Sequence, residues 1–219
     1  MSEEPKLAAD SIQAMVFDLG GVLTTGLSEA LLAVLADHGV DDPQSREEAL
    51  ACWRPLYIRA SLGRMHPDEL WRELRGVADL GTLLPGQEDE QLLSHIHLPE
   101  ASIPHTLARL RERRPLGLLS NHVAPWARAL LERFALTPLF EAVVISSEIG
   151  LRKPAAATYE RVCAMLGVAP QHSVYIADEE EDLVGCQAVG MCPFFVAGQD
   201  AESRVGWEIK QLGDLLKLL

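Results

Sequence analysis

The sequence predicts an α/β fold: a parallel sheet in three layers with an inserted all-helical segment. Three observations carry that expectation. Through the C-terminal two thirds of the chain, short apolar runs alternate with amphipathic helical patterns, the rhythm of parallel strands joined by crossover helices. A further apolar run near the N terminus, "AMVF", ends in Asp18 followed by a leucine and two glycines. Between that run and the rest lies a long stretch of helical patterns alone, too long to be a structureless loop in a compact domain.

Taken in order, the first strand lies around residues 12–17. The helical stretch follows as "LSEALLAVLADHG", "SREEALACWRPLYIRASLG", "HPDELWRELRG" and "DEQLLSHI". Strands near 115–119, 141–145 and 173–177 and in "MCPFFVAG" then alternate with the helices "VAPWARALLERFAL", "PAAATYERVCAMLG", opened by Pro154, and "EEEDLVGCQAVG". Gly167 and Gly190 stand where helix C-caps are needed. The expected division is a sheet-bearing core, residues 1–26 and 97–219, and a helical cap, residues 27–96, over the carboxyl edge of the sheet. Open parallel sheets bind ligands at that edge.

At 219 residues, 48% of them hydrophobic and 23% charged, the chain has enough material for one packed domain with an insertion. Its formal net charge of −13 repels nucleic acid and anionic membranes. No apolar run reaches transmembrane length, and the acidic N-terminal decapeptide lacks the order of a signal peptide. The expectation is a cytoplasmic protein, a monomer or homodimer, whose partner is a small molecule. Cys52, Cys163, Cys186 and Cys192 show no C-x-x-C spacing and read as thiols among apolar neighbours.

Four short stretches carry the chemistry. Asp18 follows a buried strand directly, and the glycines behind it permit close approach of an anion or a metal. In "LLSNH", the Ser120 hydroxyl and the backbone after it suit a phosphate oxygen, although Ser120 also suits a helix N-cap. "EIGLRKP" offers Lys153 as a point charge. "VYIADEEEDLVG" sets Asp178 after a further strand, with Asp182 one turn later. Glu179, Glu180 and Glu181 read as a solvated first helical turn that favours the macrodipole. His95 and His97 have no companions at metal-ligand spacing.

The order of these four stretches, "FDLGGVL", "LLSN", "RKP" and "YIADEEED", resembles the motif set of the haloacid dehalogenase-like hydrolases. That family has a Rossmann-like core and, in many members, a helical cap. Within it, "YIRASLGRMHPDELWREL" is similar to the cap of the subgroup that includes α-glucose-1-phosphate phosphatases and the phosphatase domain of soluble epoxide hydrolases. The resemblance implies a phosphatase acting on a small phosphorylated metabolite. Asp18 would be the nucleophile; Asp18, the Gly20 carbonyl and Asp178 would hold Mg²⁺; Ser120 and Asn121 would bind phosphate oxygens. Lys153 would offset the negative charge, and Asp182 would orient Lys153 or a metal-bound water.

Two positions depart from the family pattern. Ala177 replaces an aspartate or glycine found in many relatives, while Asp178 still supplies one carboxylate. Gly20 stands where phosphatases of the family usually carry a second aspartate as general acid and base. His122 is the nearest ionisable candidate in the sequence to replace it. Within the cap, Arg54, Tyr57 and Arg59 are the expected pocket-facing residues. Two other readings stay open: a binding or regulatory protein weakened at Gly20, and a 2-haloacid dehalogenase, although the aromatic-glycine-threonine continuation usual after the aspartate of dehalogenases is missing.

Overall fold

The apolar runs form strands buried on both faces. In the computed structural model, which describes residues 11–77, 86–197 and 205–219, these are β1 (Ala14–Phe17), β2 (Leu116–Ser120), β3 (Ala142–Ile145), β4 (Ser173–Ala177) and β5 (Cys192–Val196). The N-terminal decapeptide and Gly198 of the last predicted strand lie outside the described residues. Every residue of β1, β2 and β4 is buried, as a strand covered by helices on both sides requires.

The period-two alternation of side chains sorts each strand between two apolar clusters. Met15, Phe17, Leu116, Leu118, Val174, Ile176 and Phe194 face one layer. Val16, Leu119, Tyr175, Ala177 and Phe195 face the other. The second layer is closed by α8 (Ala156–Leu166) and α9 (Glu180–Ala188), through Tyr159, Val162, Leu183 and Cys186. The first is closed by α5 (Ile103–Arg111), α6 (Ala124–Arg133) and the C-terminal α10 (Leu215–Leu218). A one-turn α7 (Ser146–Ile149) follows β3.

With a short edge strand β6 (Trp207–Ile209), the described strands all pair in parallel, in the order β3-β2-β1-β4-β5-β6. The chain builds outward from β1 in one direction through β3, then restarts at β4 and builds the other way. The crevice between β1 and β4 is therefore the switch point of the sheet, where ligands bind in such folds. The edge strand β6 is not among the predicted strands. Its three residues run half-buried, exposed, buried, with Glu208 in the middle, too short a pattern for alternation to register.

The described residues between β1 and β2 form helices and no strand of the sheet: α1 (Leu27–Asp37), α2 (Pro43–Ser61), α3 (Pro67–Val77) and α4 (Glu88–Ser94) precede α5. Asp42 caps α2 by accepting from the Ser45 N–H at 2.9 Å, and Pro43 supplies the first helical residue. Buried Glu88 pairs with Arg75, and the Trp71 indole N–H donates to Asp89 at 2.6 Å, tying α3 to α4. Leu31, Leu35, Trp53, Leu70, Trp71 and Leu92 join the same cluster as Trp126 and Leu130 of α6, so these helices pack onto the sheet's own core. Trp53 stacks parallel on Trp126 at 6.0 Å, with Trp71 within 6.1 Å of both. Where the cap chain leaves and rejoins the sheet, Thr25 and His97 exchange two hydrogen bonds, at 2.9 and 3.0 Å.

Two details of the prediction need correction or refinement. Pro154 does not open α8, which starts two residues later with Ala155 as its N-cap. The reason is that the Lys153 backbone is held by the Asn121 side chain, so residues 152–155 form a loop fixed to β2 (see below). The cysteines are all free; Cys163 and Cys186 are buried, whereas Cys52 and Cys192 are only partly so. No helix among the described residues is long and apolar enough to cross a membrane.

Candidate active site

β1 delivers Asp18 to the switch point. Its N–H donates to the Ile176 carbonyl of β4 at 2.9 Å, and its Oδ1 accepts from the next N–H, of Leu19, at 2.7 Å. Oδ2 is left to face Lys153 at 2.6 Å. The chain then folds into a closed turn: Leu23 and Thr24 both donate to the Leu19 carbonyl, and Gly21 donates to Thr24.

Gly21 holds a φ of +77°, and a Cβ there would lie 1.8 Å from Oδ2 of Asp178. The left-handed backbone and the contact with Asp178 both demand glycine. Gly21→Ala is expected to destabilise the fold by about 1–2 kcal/mol from the backbone alone. Thermal unfolding should show a midpoint lowered by roughly 2–8 °C; an unchanged midpoint would contradict this account of the turn.

Ser120 ends β2 and lines the same cavity as Asp18. It caps no helix, since α6 has Val123 as its N-cap residue. Asn121 does something the sequence did not suggest. Its side chain brackets the Lys153 backbone, accepting from the N–H at 2.8 Å and donating to the carbonyl at 3.2 Å. This bracket aims the Lys153 side chain into the sheet.

Lys153 is 5% exposed, and its ammonium donates to three groups: Asp18 at 2.6 Å, Asp182 at 2.7 Å and the Tyr175 hydroxyl at 2.7 Å. Burial alone would lower its pKa, but Asp18 and Asp182 outweigh burial, raise it and keep the lysine charged. Asp182, on the first turn of α9, is 4% exposed and is thus a buried partner of the lysine. Asp178 follows β4, and burial, then the charge of Asp18, push its carboxyl up to about 7.

The cavity these residues line has a volume of about 470 Å³, the scale of a small-molecule site. The α2 helix supplies Trp53 and Tyr57 to its wall. The Tyr57 hydroxyl donates to the Asn121 carbonyl at 2.6 Å, and its ring stacks on Trp53 at 5.5 Å. The other two expected cap residues face elsewhere, and helical phase explains why. Trp53 and Tyr57 are four residues apart and share a face, whereas Arg54 and Arg59 are rotated away from it. Exposed Arg54 borders a separate groove with Leu32 and Leu50, and Arg59 pairs with Glu73 at 3.2 Å on the surface.

His122 lines the cavity, but burial pushes its imidazole down to about 4. Its Nδ1 lies 3.0 Å from the Val123 carbonyl, which fixes a neutral tautomer with the proton on Nδ1. A neutral imidazole held this way has no proton to deliver from Nε2, which counts against the substitute acid considered above. The two histidines of the cap's H-x-H are accounted for locally: His95 pairs with Asp37 at 2.9 Å, and the His97 backbone is latched to Thr25.

Among the described residues, Asp18, Glu29, Asp178, Glu179 and Asp182 line the cavity against two cations, Arg152 and Lys153. An anion meets repulsion there unless further positive charge enters. Two carboxylates, Asp18 and Asp178, together with Gly20 on the same wall, offer the hard oxygen donors that suit Mg²⁺. Among the described residues no three His, Cys, Asp or Glu side chains gather at ligand spacing, so such an ion would depend on main-chain oxygen and water for its remaining contacts.

A buried partner of Lys153 and a cation of the cavity wall escaped the sequence reading. Tyr175 is a buried residue of β4 whose only signal is its place three residues before Asp178. Arg152 was overshadowed by Lys153, its neighbour in "RKP".

A profile of the haloacid dehalogenase-like hydrolases matches residues 12–190. A phosphoglycolate phosphatase of Escherichia coli is 25% identical over 203 residues, 84% of this chain and 80% of its own. Its counterpart in Mannheimia succiniciproducens is 24% identical over 220 residues, 93% and 96% of the two chains. Among solved structures, a HAD phosphatase from Thermococcus onnurineus superposes with a TM-score of 0.68 at 23% identity, over 94% of this chain and 97% of its own. A magnesium-bound putative hydrolase of the family from Bacillus subtilis gives 0.71 at 19%, over 95% and 98%. The L-2-haloacid dehalogenase of Xanthobacter autotrophicus gives 0.67 at 23%, over 94% and 98%, so the fold is common to both chemistries. The family profile spans both ends of the sheet's switch point, from the strand before Asp18 to the helix that carries Asp182, and the chain belongs to the haloacid dehalogenase-like hydrolases.

Proposed function

We propose that the protein is a Mg²⁺-dependent phosphatase that hydrolyses monoesters of a small phosphorylated metabolite through an aspartyl-phosphate on Asp18. The observation that carries this reading is the Lys153 ammonium, buried at the end of the sheet and shared between Asp18 and Asp182. A carboxylate that attacks a phosphate dianion needs fixed cations at the reacting oxygens, and a lysine held by two carboxylates is oriented before substrate arrives. The phosphatase relatives point the same way.

Asp18, the Gly20 carbonyl and Asp178 would hold the metal, whose chemistry is to offset charge on the phosphoryl oxygens. Oδ2 of Asp18 attacks phosphorus while the ester oxygen leaves with the bonding pair; water then attacks the acyl phosphate, restoring the carboxylate and releasing phosphate. Ser120 and the Asn121 backbone bind phosphoryl oxygens. Lys153 keeps its proton throughout and neutralises Asp18 and the phosphoryl group in turn, with Asp182 and Tyr175 fixing its position. Residues 27–96 act as a cap over a core of residues 1–26 and 97–219, excluding water while the acyl phosphate forms.

The test is p-nitrophenyl phosphate hydrolysis with Mg²⁺ and with EDTA, beside halide release from 2-chloropropionate. Phosphate release that EDTA abolishes is the expected result. Halide release insensitive to EDTA would transfer the assignment to a dehalogenase, and silence on both substrates would leave a binding protein.

A further inference from the structure

Arg152 differs from the other cation of the cavity. Lys153 has its charge matched by Asp18 and Asp182. Arg152 makes no ion pair among the described residues; its guanidinium donates to the Ser61 hydroxyl and lies 5.8 Å from the centre of the Tyr57 ring. Both contacts are neutral. The side chain is half-buried on the cavity wall, where an unpaired cation is poorly solvated and an entering anion gains most.

Its surroundings are rigid. Tyr57 is stacked on Trp53 and bonded to the Asn121 carbonyl. Ser61 is itself fixed, because its carbonyl accepts from the Ser146 hydroxyl at 2.5 Å, and that same hydroxyl accepts from the His122 N–H at 2.9 Å. A planar guanidinium so fixed, with part of its N–H fork uncommitted, matches a carboxylate. Arg152 immediately follows Leu151 and precedes Lys153, so phosphoryl group and carboxylate would be read by adjacent residues of one loop.

We propose that Arg152 binds a carboxylate carried by the substrate beside its phosphate, making small phosphorylated carboxylic acids the preferred substrate class. This rests on the phosphatase reading for its chemistry, but the recognition step is measurable without turnover. The probes are 3-phosphonopropionate and propylphosphonate, equal in length and differing in the carboxylate, titrated calorimetrically into the protein with Mg²⁺ present.

The protein is expected to bind the carboxylate-bearing probe about tenfold or more tightly than propylphosphonate, the scale of one charge-assisted hydrogen bond. Arg152→Gln should collapse that ratio towards one, and Arg152→Lys should keep part of it, because the charge remains while the fork is lost. Equal affinity for the two probes in the unaltered protein, no binding of either, or an equal loss of both in Arg152→Gln would overturn the proposal; the last would assign the guanidinium to the phosphoryl group. If Arg152→Gln does not fold, the ratio in Arg152→Lys decides, and an undiminished ratio there counts against the fork. Hydrolysis of p-nitrophenyl phosphate by the same preparation reports separately on the phosphatase reading: its absence strikes that reading alone.

Discussion

Asp18→Asn is expected to lower phosphate release by a factor on the order of 10⁴ or more, as loss of a nucleophile does elsewhere. The substitution keeps shape and removes charge. The amide oxygen can still accept from the Leu19 N–H, now 2.7 Å from Oδ1, but the amide nitrogen then faces the Lys153 ammonium in place of Oδ2. Two donors opposed cost about 1–3 kcal/mol. Lys153 retains Asp182 and Tyr175, so the variant should fold with a lowered unfolding midpoint. Circular dichroism separates the two effects. A folded variant that keeps more than a hundredth of the starting rate would remove Asp18 from the role of nucleophile.

Gly20→Asp is expected to act in the opposite direction. Glycine at this position leaves no side chain to protonate the departing ester oxygen, a contribution typically worth ~10²–10⁴ in rate. A Cβ built on Gly20 meets no atom within 4 Å, and its φ lies outside the left-handed region, so an aspartate enters without disturbing the turn that Gly21 controls. Gly20 also lines the cavity, which puts the new carboxyl in the substrate's compartment. An alkyl phosphate, whose leaving alkoxide needs a proton, should be accelerated by about 10² or more. p-Nitrophenyl phosphate, whose leaving group does not, should change little. Comparable acceleration of both substrates, or of neither, would mean that the missing acid is not what limits turnover.

The sheet was legible because each strand that carries chemistry is a short apolar run closed by a polar residue: Phe17 by Asp18, Leu119 by Ser120, Ala177 by Asp178. In a parallel sheet those endings share one edge, so order along the chain translates into proximity at the switch point. The cap yielded less. Its basic and aromatic residues were visible as a composition, but α2 turns Trp53 and Tyr57 inward and Arg54 and Arg59 outward. That phase is set by the packing of Trp53 against Trp126, a partner more than seventy residues away that no local pattern announces. Arg152 and the bracketing side chain of Asn121 were missed for a related reason. Each lies beside a residue of stronger signal, and its role depends on contacts with Ser61, Tyr57 and the Lys153 backbone.

The indole cluster gives the protein a property apart from its chemistry. Of its four tryptophans, Trp53, Trp71 and Trp126 belong to three helices and lie close enough to share excitation, while Trp207 stacks on Phe194 at the far edge of the sheet. Most of the chain's indole absorption therefore sits at the seam between α2, α3 and α6, and the seam carries an optical label of its own.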